Sequence, residues 1–192
     1  MTGRILVVNA GSSSLKLRVL APDDRVDGAA DLPAPRGVTD APELEAAIRS
    51  LGVVDVVGHR IVHGGTAFSG PVRIDAGVVR RLEALTDLAP LHQPKSLAAL
   101  AAVTAVLPDV PAVACFDTAF HSTLTPAAFT YALPPEWRKR WELRRYGFHG
   151  LSHAYASRRA AEILGLAPQG LRIVTCHLGA GASLAAVLDG RS

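Results

Sequence analysis

The sequence predicts an α/β protein, and three observations carry that prediction. Short apolar runs alternate with segments of helical periodicity along the chain. Several of the runs are dense in β-branched residues, as buried strands are. A strand–turn–strand unit near the N-terminus recurs near the C-terminus.

Residues 4–8 and 14–20 read as two strands joined by a tight turn of small residues, Gly11 and Ser12 to Ser14, with Lys16 just beyond. A Pro/Asp/Gly-rich stretch, residues 21–40, has room for one further short strand. Pro42 stands at a helix start, and residues 43–51 carry apolar positions at helical spacing. Residues 53–62 alternate poorly and are rich in β-branched residues, which suits a central strand buried on both faces. Gly64 and Gly65 break it. Residues 72–74 are a short strand, and residues 77–88 a helix with Val78, Leu82, Leu85 and Leu88 on one side. Pro94 opens a helix running to Leu107, and residues 110–116 form a second buried strand ending at Asp117. Residues 134–145 read as a short basic helix. Residues 151–164 read as a helix with Tyr155, Ala160 and Ile163 facing inward, stopped by Gly165. Residues 171–177 and 183–188 are the strands of the second unit.

The two units align through Gly11 and Gly179, and then through Ser14 and Ser183 with one residue inserted. A turn of this kind lets an anion approach the main chain, because glycine has no Cβ and serines donate hydrogen bonds. Phosphate is the natural candidate. If the second unit opens a second copy of the fold, more chain is expected to follow it. Only four residues remain after Leu188, so the chain reads as cut.

Composition narrows the function classes. A hydrophobic content of 49% with 19% charged residues argues against disorder. The net charge of +3 is small, and the basic group Arg138, Lys139, Arg140, Arg144 and Arg145 reads as a solvated helix face rather than a nucleic-acid surface. Cys115 and Cys176 lie in apolar runs and read as small buried residues of a reducing compartment. The N-terminus lacks a signal-peptide core and no stretch approaches a membrane span, so a cytoplasmic protein is expected.

Polar residues cluster directly after the apolar strands, where ligands of α/β sheets are usually met. Each has a structural alternative. Arg60 fits an ion pair as well as an anion contact; Asp117 fits a local turn cap; His149 fits a satisfied core histidine. The pair His59/His63 lies in a strand, where such positions stand roughly 13 Å apart and cannot share one metal. The pair His149/His153 has no acidic partner of the HExxH kind, so zinc is not read there. No Walker A loop, protein-kinase glycine loop or hydrolase nucleophile elbow is present.

Five ordered segments together resemble the acetate kinase family: NAGSSSLK (9–16), GHRIVHGG (58–65), FDTAFH (116–121), YGFHGLSH (146–153) and HLGAGASL (177–184). The resemblance spans essentially the whole chain. It implies a ribonuclease-H-like, actin-like ATPase fold, a mixed sheet with flanking helices, followed by the first hairpin of a second, truncated copy. On that basis residues 1–150 are the domain handling the acyl substrate. Residues 151–192 are then a linking helix and the start of the nucleotide-binding domain.

The resemblance also implies roles. Asn9 helps hold Mg²⁺ (or Mn²⁺), while Ser12, Ser14 and Lys16 approach the phosphates of ATP or ADP. Arg60 binds the carboxylate or its phosphate. Val62, Leu91 and Phe148 line a small apolar pocket with His92 beside it. Asp117 is the family's catalytic acid, and His149 stabilises the transition state. His177, Leu178, Gly179, Ala180 and Gly181 form the second phosphate loop. The expected reaction is reversible transfer of a phosphoryl group from ATP to acetate, giving acetyl phosphate. Propionate or butyrate kinase is the alternative, and a non-catalytic carboxylate- or phosphate-binding remnant is the other. No nucleic-acid or membrane partner is expected, and the full-length family member is expected to be a homodimer. Two departures stand out. The family usually has asparagine where this chain has Ala180. Its second catalytic arginine, adenosine pocket and glutamate metal ligand fall beyond Ser192, so the 192 residues alone are expected to lack kinase activity.

Overall fold

The computed structural model describes residues 3–11, 13–35 and 39–192. They group into two compact units, Met1–Gly64 with Pro71–Cys115, and Gly65–Gly70 with Phe116–Ser192.

The first unit is built on a six-stranded mixed sheet. Strands β1 (Ile5–Ala10), β2 (Ser14–Leu20) and β3 (Val26–Pro33) form an antiparallel meander. Strand β4 (Val56–Ile61) pairs parallel to β1, and β5 (Val72–Arg73) pairs antiparallel to β6 (Ala112–Phe116). The spatial order is β3-β2-β1-β4-β6-β5. Helix α1 (Ala41–Ser50) starts where Pro42 predicts, with the Asp40 carboxylate accepting from the Glu43 amide at 3.0 Å. Helices α2 (Ala76–Glu83) and α3 (Gln93–Val106) follow. Leu6, Val8, Leu17 and Val57 from the strands meet Leu44 and Ile48 of α1 and Ala99 and Val103 of α3 in one core.

Four expectations for this unit change. Strand β3 is eight residues long although its sequence is mostly polar or small; it is an edge strand held by its ladder to β2 and by the Arg18–Asp31 ion pair, with only Leu32 buried. Strand β4 is central but not buried on both faces: Val57, His59 and Ile61 point inward, while Val56, Gly58 and Arg60 are half-buried. It begins at Val56, because Val53 is exposed and its carbonyl accepts from the Arg4 guanidinium. Helix α2 stops at Glu83, whose carbonyl accepts from the Thr86 hydroxyl at 2.7 Å, and Leu88 lies in a separate 3-10 turn, half-exposed.

The second unit holds the 3-10 turn Ala119–Thr123, the short helices α4 (Pro126–Phe129) and α5 (Pro135–Arg140), helix α6 (Gly150–Leu164) and a two-stranded antiparallel sheet. That sheet pairs β7 (Arg172–Leu178) with β8 (Ala182–Leu188), and α6 packs on β7. Helix α6 ends at Gly165 in the left-handed conformation, as expected. Its inward face differs from the expectation. Tyr155 and Ile163 are exposed and Ala160 half-buried, whereas His153, Ser157 and Ala161 are buried. Hydrogen bonds make burial of the two polar residues affordable: His153 bonds Thr175, and Ser157 donates to the Ala154 carbonyl. The cysteines also depart from expectation. Cys176 is exposed on the open face of β7, and Cys115 is only half-buried, though burial still raises its thiol pKa.

Candidate functional site

In the first unit, the β1–β2 turn closes through the Gly11 amide donating to the Ser14 carbonyl at 2.8 Å. A Cβ on Gly11 would stand 3.1 Å from that oxygen, so the turn leaves little room for a side chain there. Ser14 is half-buried and Lys16 exposed beside this turn; Ser12 lies outside the described residues. Parallel pairing of Val8 with His59 brings the next residues, Asn9 and Arg60, together on the less buried face of the sheet. The Arg60 guanidinium donates to the Asn9 side-chain oxygen at 2.9 Å.

Several polar and apolar residues of the same unit are buried. Val62 and His63 are buried, as is Gln93, whose amide donates to the carbonyls of Leu82 and His63. Burial lowers the His63 pKa and takes that of His59 down to about 4, so neither carries charge at neutral pH. Leu91 and His92 are exposed at the start of α3.

In the second unit, Asp117 follows β6 and is 1% exposed. Its carbonyl accepts from the Gly150 amide at the start of α6. Immediately before Gly150, His149 sits in the left-handed region at φ 54°, ψ 24°, an unusual place for a residue with a Cβ. Its ring stacks on His177 with centroids 4.1 Å apart and planes 14° apart. Its Nδ1 lies 2.8 Å from Ser183 Oγ. Phe148 is half-exposed, and its carbonyl is 3.0 Å from His121 Nε2. Gly147, at φ 80°, leaves no room for a Cβ, which would stand 2.5 Å from the His121 ring. The loop between β7 and β8 is tightened by the Gly179 amide donating to the Gly181 carbonyl at 3.1 Å, and Leu178 to Gly181 are exposed.

The residues singled out in the sequence therefore assemble in two groups. Asn9 and Arg60 meet in the first unit. In the second, His149 meets His177, while Asp117 is joined by a hydrogen bond to the residue after His149. Sequence reasoning names Ser183 only as the counterpart of Ser14 and gives Ser152 no role, whereas Ser183 bonds both His149 and His153, and Ser152 bonds His177. The four-residue spacing of His149 and His153 is the available signal.

Chemically, the first group offers a planar cation with five N–H donors, suited to a carboxylate or phosphate. The second offers a ring nitrogen beside a loop of exposed backbone amides. Among the described residues no set of three His, Cys, Asp or Glu is placed to hold a metal. The Asn9 oxygen, the one candidate ligand, already accepts from Arg60. In this arrangement it does not fit a directly coordinated divalent ion.

A family model described as the acetokinase family matches residues 38–192. Acetate kinase of Bacteroides fragilis is 40% identical over 221 residues, covering 98% of this chain and 56% of its own. Acetate kinase of Geobacillus kaustophilus is 43% identical over 219 residues, covering 98% and 55%. Among solved structures, that of Porphyromonas gingivalis acetate kinase superposes with a TM-score of 0.83 at 36% identity, over 98% of this chain and 55% of that one. A propionate kinase from Francisella tularensis gives 0.83 at 31% identity, with the same coverage. The chain thus spans about half the length of the curated relatives it matches. The mixed sheet with flanking helices is the α/β, actin-like ATPase fold of these neighbours, as the motifs implied. The chain belongs to the acetokinase family.

Proposed function

We propose that this chain is the acyl-phosphate side of an acetate kinase, which moves the terminal phosphoryl group of ATP reversibly to acetate. In the forward direction the bond from phosphorus to the ADP oxygen breaks while one forms to an acetate oxygen. The protein does little bond-making in such a transfer; it supplies position and positive charge. Arg60 offers its fork to the carboxylate or the phosphoryl oxygens, and His149 offers a ring N–H, as the imidazolium, to charge that develops in the transfer. The acceptor is ionised at neutral pH, since carboxylic acids titrate near ~4. Asp117 therefore has no proton to remove and acts by orientation.

The remaining assignments follow the same reading. Val62, Leu91 and Phe148 are the apolar residues assigned to the methyl group, and His92 is assigned with them. Ser12, Ser14, Lys16 and the loop His177 to Gly181 are assigned to the nucleotide phosphates. Mg²⁺ (or Mn²⁺) bound with ATP would supply charge neutralisation at the phosphates, and Asn9 would help to hold it only where its oxygen no longer accepts from Arg60. Residues 1–150 handle the acyl group, and residues 151–192 open the nucleotide-binding copy of the fold. The protein works in the cytoplasm as a homodimer, without nucleic-acid or membrane partners.

The observation carrying this proposal is the main-chain hydrogen bond that locks Asp117 to the residue beside His149, because it fixes two of the residues assigned to the reaction near each other. The test is hydroxamate formation from ATP, Mg²⁺ and acetate with hydroxylamine, on the protein that carries this chain. Turnover that disappears in Arg60→Ala supports the reading. Acetyl phosphate binding without any turnover points instead to a non-catalytic remnant. Propionate is the second reading, favoured by the Francisella neighbour. One methylene is worth only ~1–3 kcal/mol of discrimination, so kcat/KM for the two acids decides it.

A further inference from the structure

Behind His149 the polar side chains of the second unit form a continuous line. Ser183 Oγ, on β8, lies 2.8 Å from His149 Nδ1 and 2.8 Å from His153 Nε2. His153 Nδ1 lies 2.8 Å from Thr175 Oγ1 on β7. The Thr175 hydroxyl in turn donates to the carbonyl of Ala185, its cross-strand partner, at 3.5 Å.

A carbonyl only accepts, and this orients the line. Thr175 O–H points at Ala185, so the Thr175 oxygen accepts from His153 Nδ1–H. A neutral imidazole carries one ring proton, so His153 Nε2 is a lone pair and accepts from Ser183 O–H. The Ser183 oxygen is then left to accept from His149 Nδ1–H. His153 is 1% exposed. Burial, with the neighbouring His121, His149 and His177 rings, lowers its pKa against the opposing charge of Asp117, which keeps it in the one-proton form that the line needs.

We propose that Thr175, His153 and Ser183 are a positioning relay that holds neutral His149 as the Nδ1-protonated imidazole, with the lone pair on Nε2. None of the three needs to touch a substrate; each acts through the next. The consequence for the reaction rests on the reading of His149 as a phosphoryl contact. With Nδ1–H pinned toward Ser183, neutral His149 would turn a lone pair to an anionic oxygen, and only the imidazolium can donate from Nε2. His177 from β7 stacks on the His149 ring, and His153 from α6, whose own surroundings include His121 and Asp117 from the segment after β6, reaches it through Ser183. Without the relay, a neutral imidazole is free to place its proton on either nitrogen.

The test needs no enzymatic turnover. The 192-residue chain is labelled with ¹⁵N-histidine, and long-range ¹H–¹⁵N correlation above the titration range reads the tautomer of each ring. His149 is expected almost wholly as Nδ1–H in the unmodified chain. Ser183→Ala is expected to shift it to a mixture, and Ser183→Thr to restore it. Thr175→Val, which preserves shape and contacts neither His149 nor Ser183 through its lost hydroxyl, is expected to move the same His149 signal. A His149 ring found mainly as Nε2–H in the unmodified chain overturns the relay. So does a His149 tautomer that stays unchanged in both Ser183→Ala and Thr175→Val. Should Ser183→Ala unfold, the unmodified chain and the isosteric Thr175→Val decide alone. Because the readout is a tautomer, its failure leaves the kinase reading standing, and an inactive kinase leaves the relay standing.

Discussion

The main-chain amide of Gly150 donates to the main-chain carbonyl of Asp117 at 2.9 Å, and a Cβ on Gly150 would stand 2.1 Å from that oxygen. The start of α6 is thus pressed onto the loop after β6 at a distance that only glycine permits. The same Cβ would also meet Phe120 Cβ at 2.9 Å. Neither neighbour is the free end of a flexible side chain, so the backbone itself must shift.

Gly150→Ala is therefore expected to separate Asp117 from His149. Overpacking of this kind costs about 1–3 kcal/mol, read as a lower melting temperature in thermal unfolding. On the protein that carries this chain, kcat is expected to fall more than KM rises, because the damage is to geometry at the reacting end. A variant with unaltered melting temperature and kcat would show that the contact is loose.

Much of the fold was legible because strands β1, β2 and β6 and helices α1 and α3 carry their own signals: β-branched runs, Pro42 and Pro94 at helix starts, glycine breaks. What was not legible depends on partners distant in sequence. Strand β3 has no apolar pattern and exists through its ladder to β2. Helix α6 buries His153 and Ser157 rather than Tyr155 and Ile163, because hydrogen bonds across 22 and 30 residues satisfy His153. The site divides the same way. Asn9, Arg60, Asp117 and His149 are visible as motif residues after strands, whereas Ser183 and Thr175 act only as acceptors and donors for side chains that periodicity cannot bring together.

Arg60 donates to the Asn9 oxygen from the neighbouring strand, and in the proposed site a carboxylate substrate would compete for the same guanidinium. Asn9→Asp replaces an amide oxygen by a charged one, strengthening the internal bond toward the ~1.5–3 kcal/mol range of charged hydrogen bonds. KM for acetate is expected to rise about tenfold, which is ~1.4 kcal/mol of lost substrate binding, with stability unchanged or slightly higher. A lower KM in steady-state kinetics would mean that Asn9 does not restrain Arg60.

Acid should destabilise the fold before the carboxylates titrate. His59 is 2% exposed, its Nε2 has no hydrogen-bond partner among the described residues, and burial lowers its pKa from 6.5 to about 4. Between those values the unfolded chain binds a proton that the folded chain refuses. Stability is then fully present above pH 6.5 and is lost as pH falls toward 4, by about 3 kcal/mol for this one residue. His63, His121 and His153, also lowered chiefly by burial, act in the same direction. Urea unfolding at pH 7 and pH 4.5 reads the loss, and His59→Leu should remove most of the His59 share. Equal losses in the variant and the unmodified chain would assign the acid sensitivity elsewhere.

Ala180 lies exposed in the turn between β7 and β8, between Gly179 and Gly181, whose main chains bond each other. In the proposed site the turn presents backbone amides to the nucleotide phosphates but no side-chain donor at its centre. Ala180→Asn adds one N–H₂ group there without filling occupied space. A new hydrogen bond to a charged oxygen contributes about 1.5–3 kcal/mol at best, less the cost of ordering an exposed side chain, which leaves roughly 1 kcal/mol. ATP affinity of the protein that carries this chain, measured by calorimetry, should therefore tighten about fivefold while KM for acetate stays constant, since that pocket is built from other residues. An unchanged ATP affinity would mean that the loop's backbone amides already satisfy the phosphates, and that alanine at this position costs nothing.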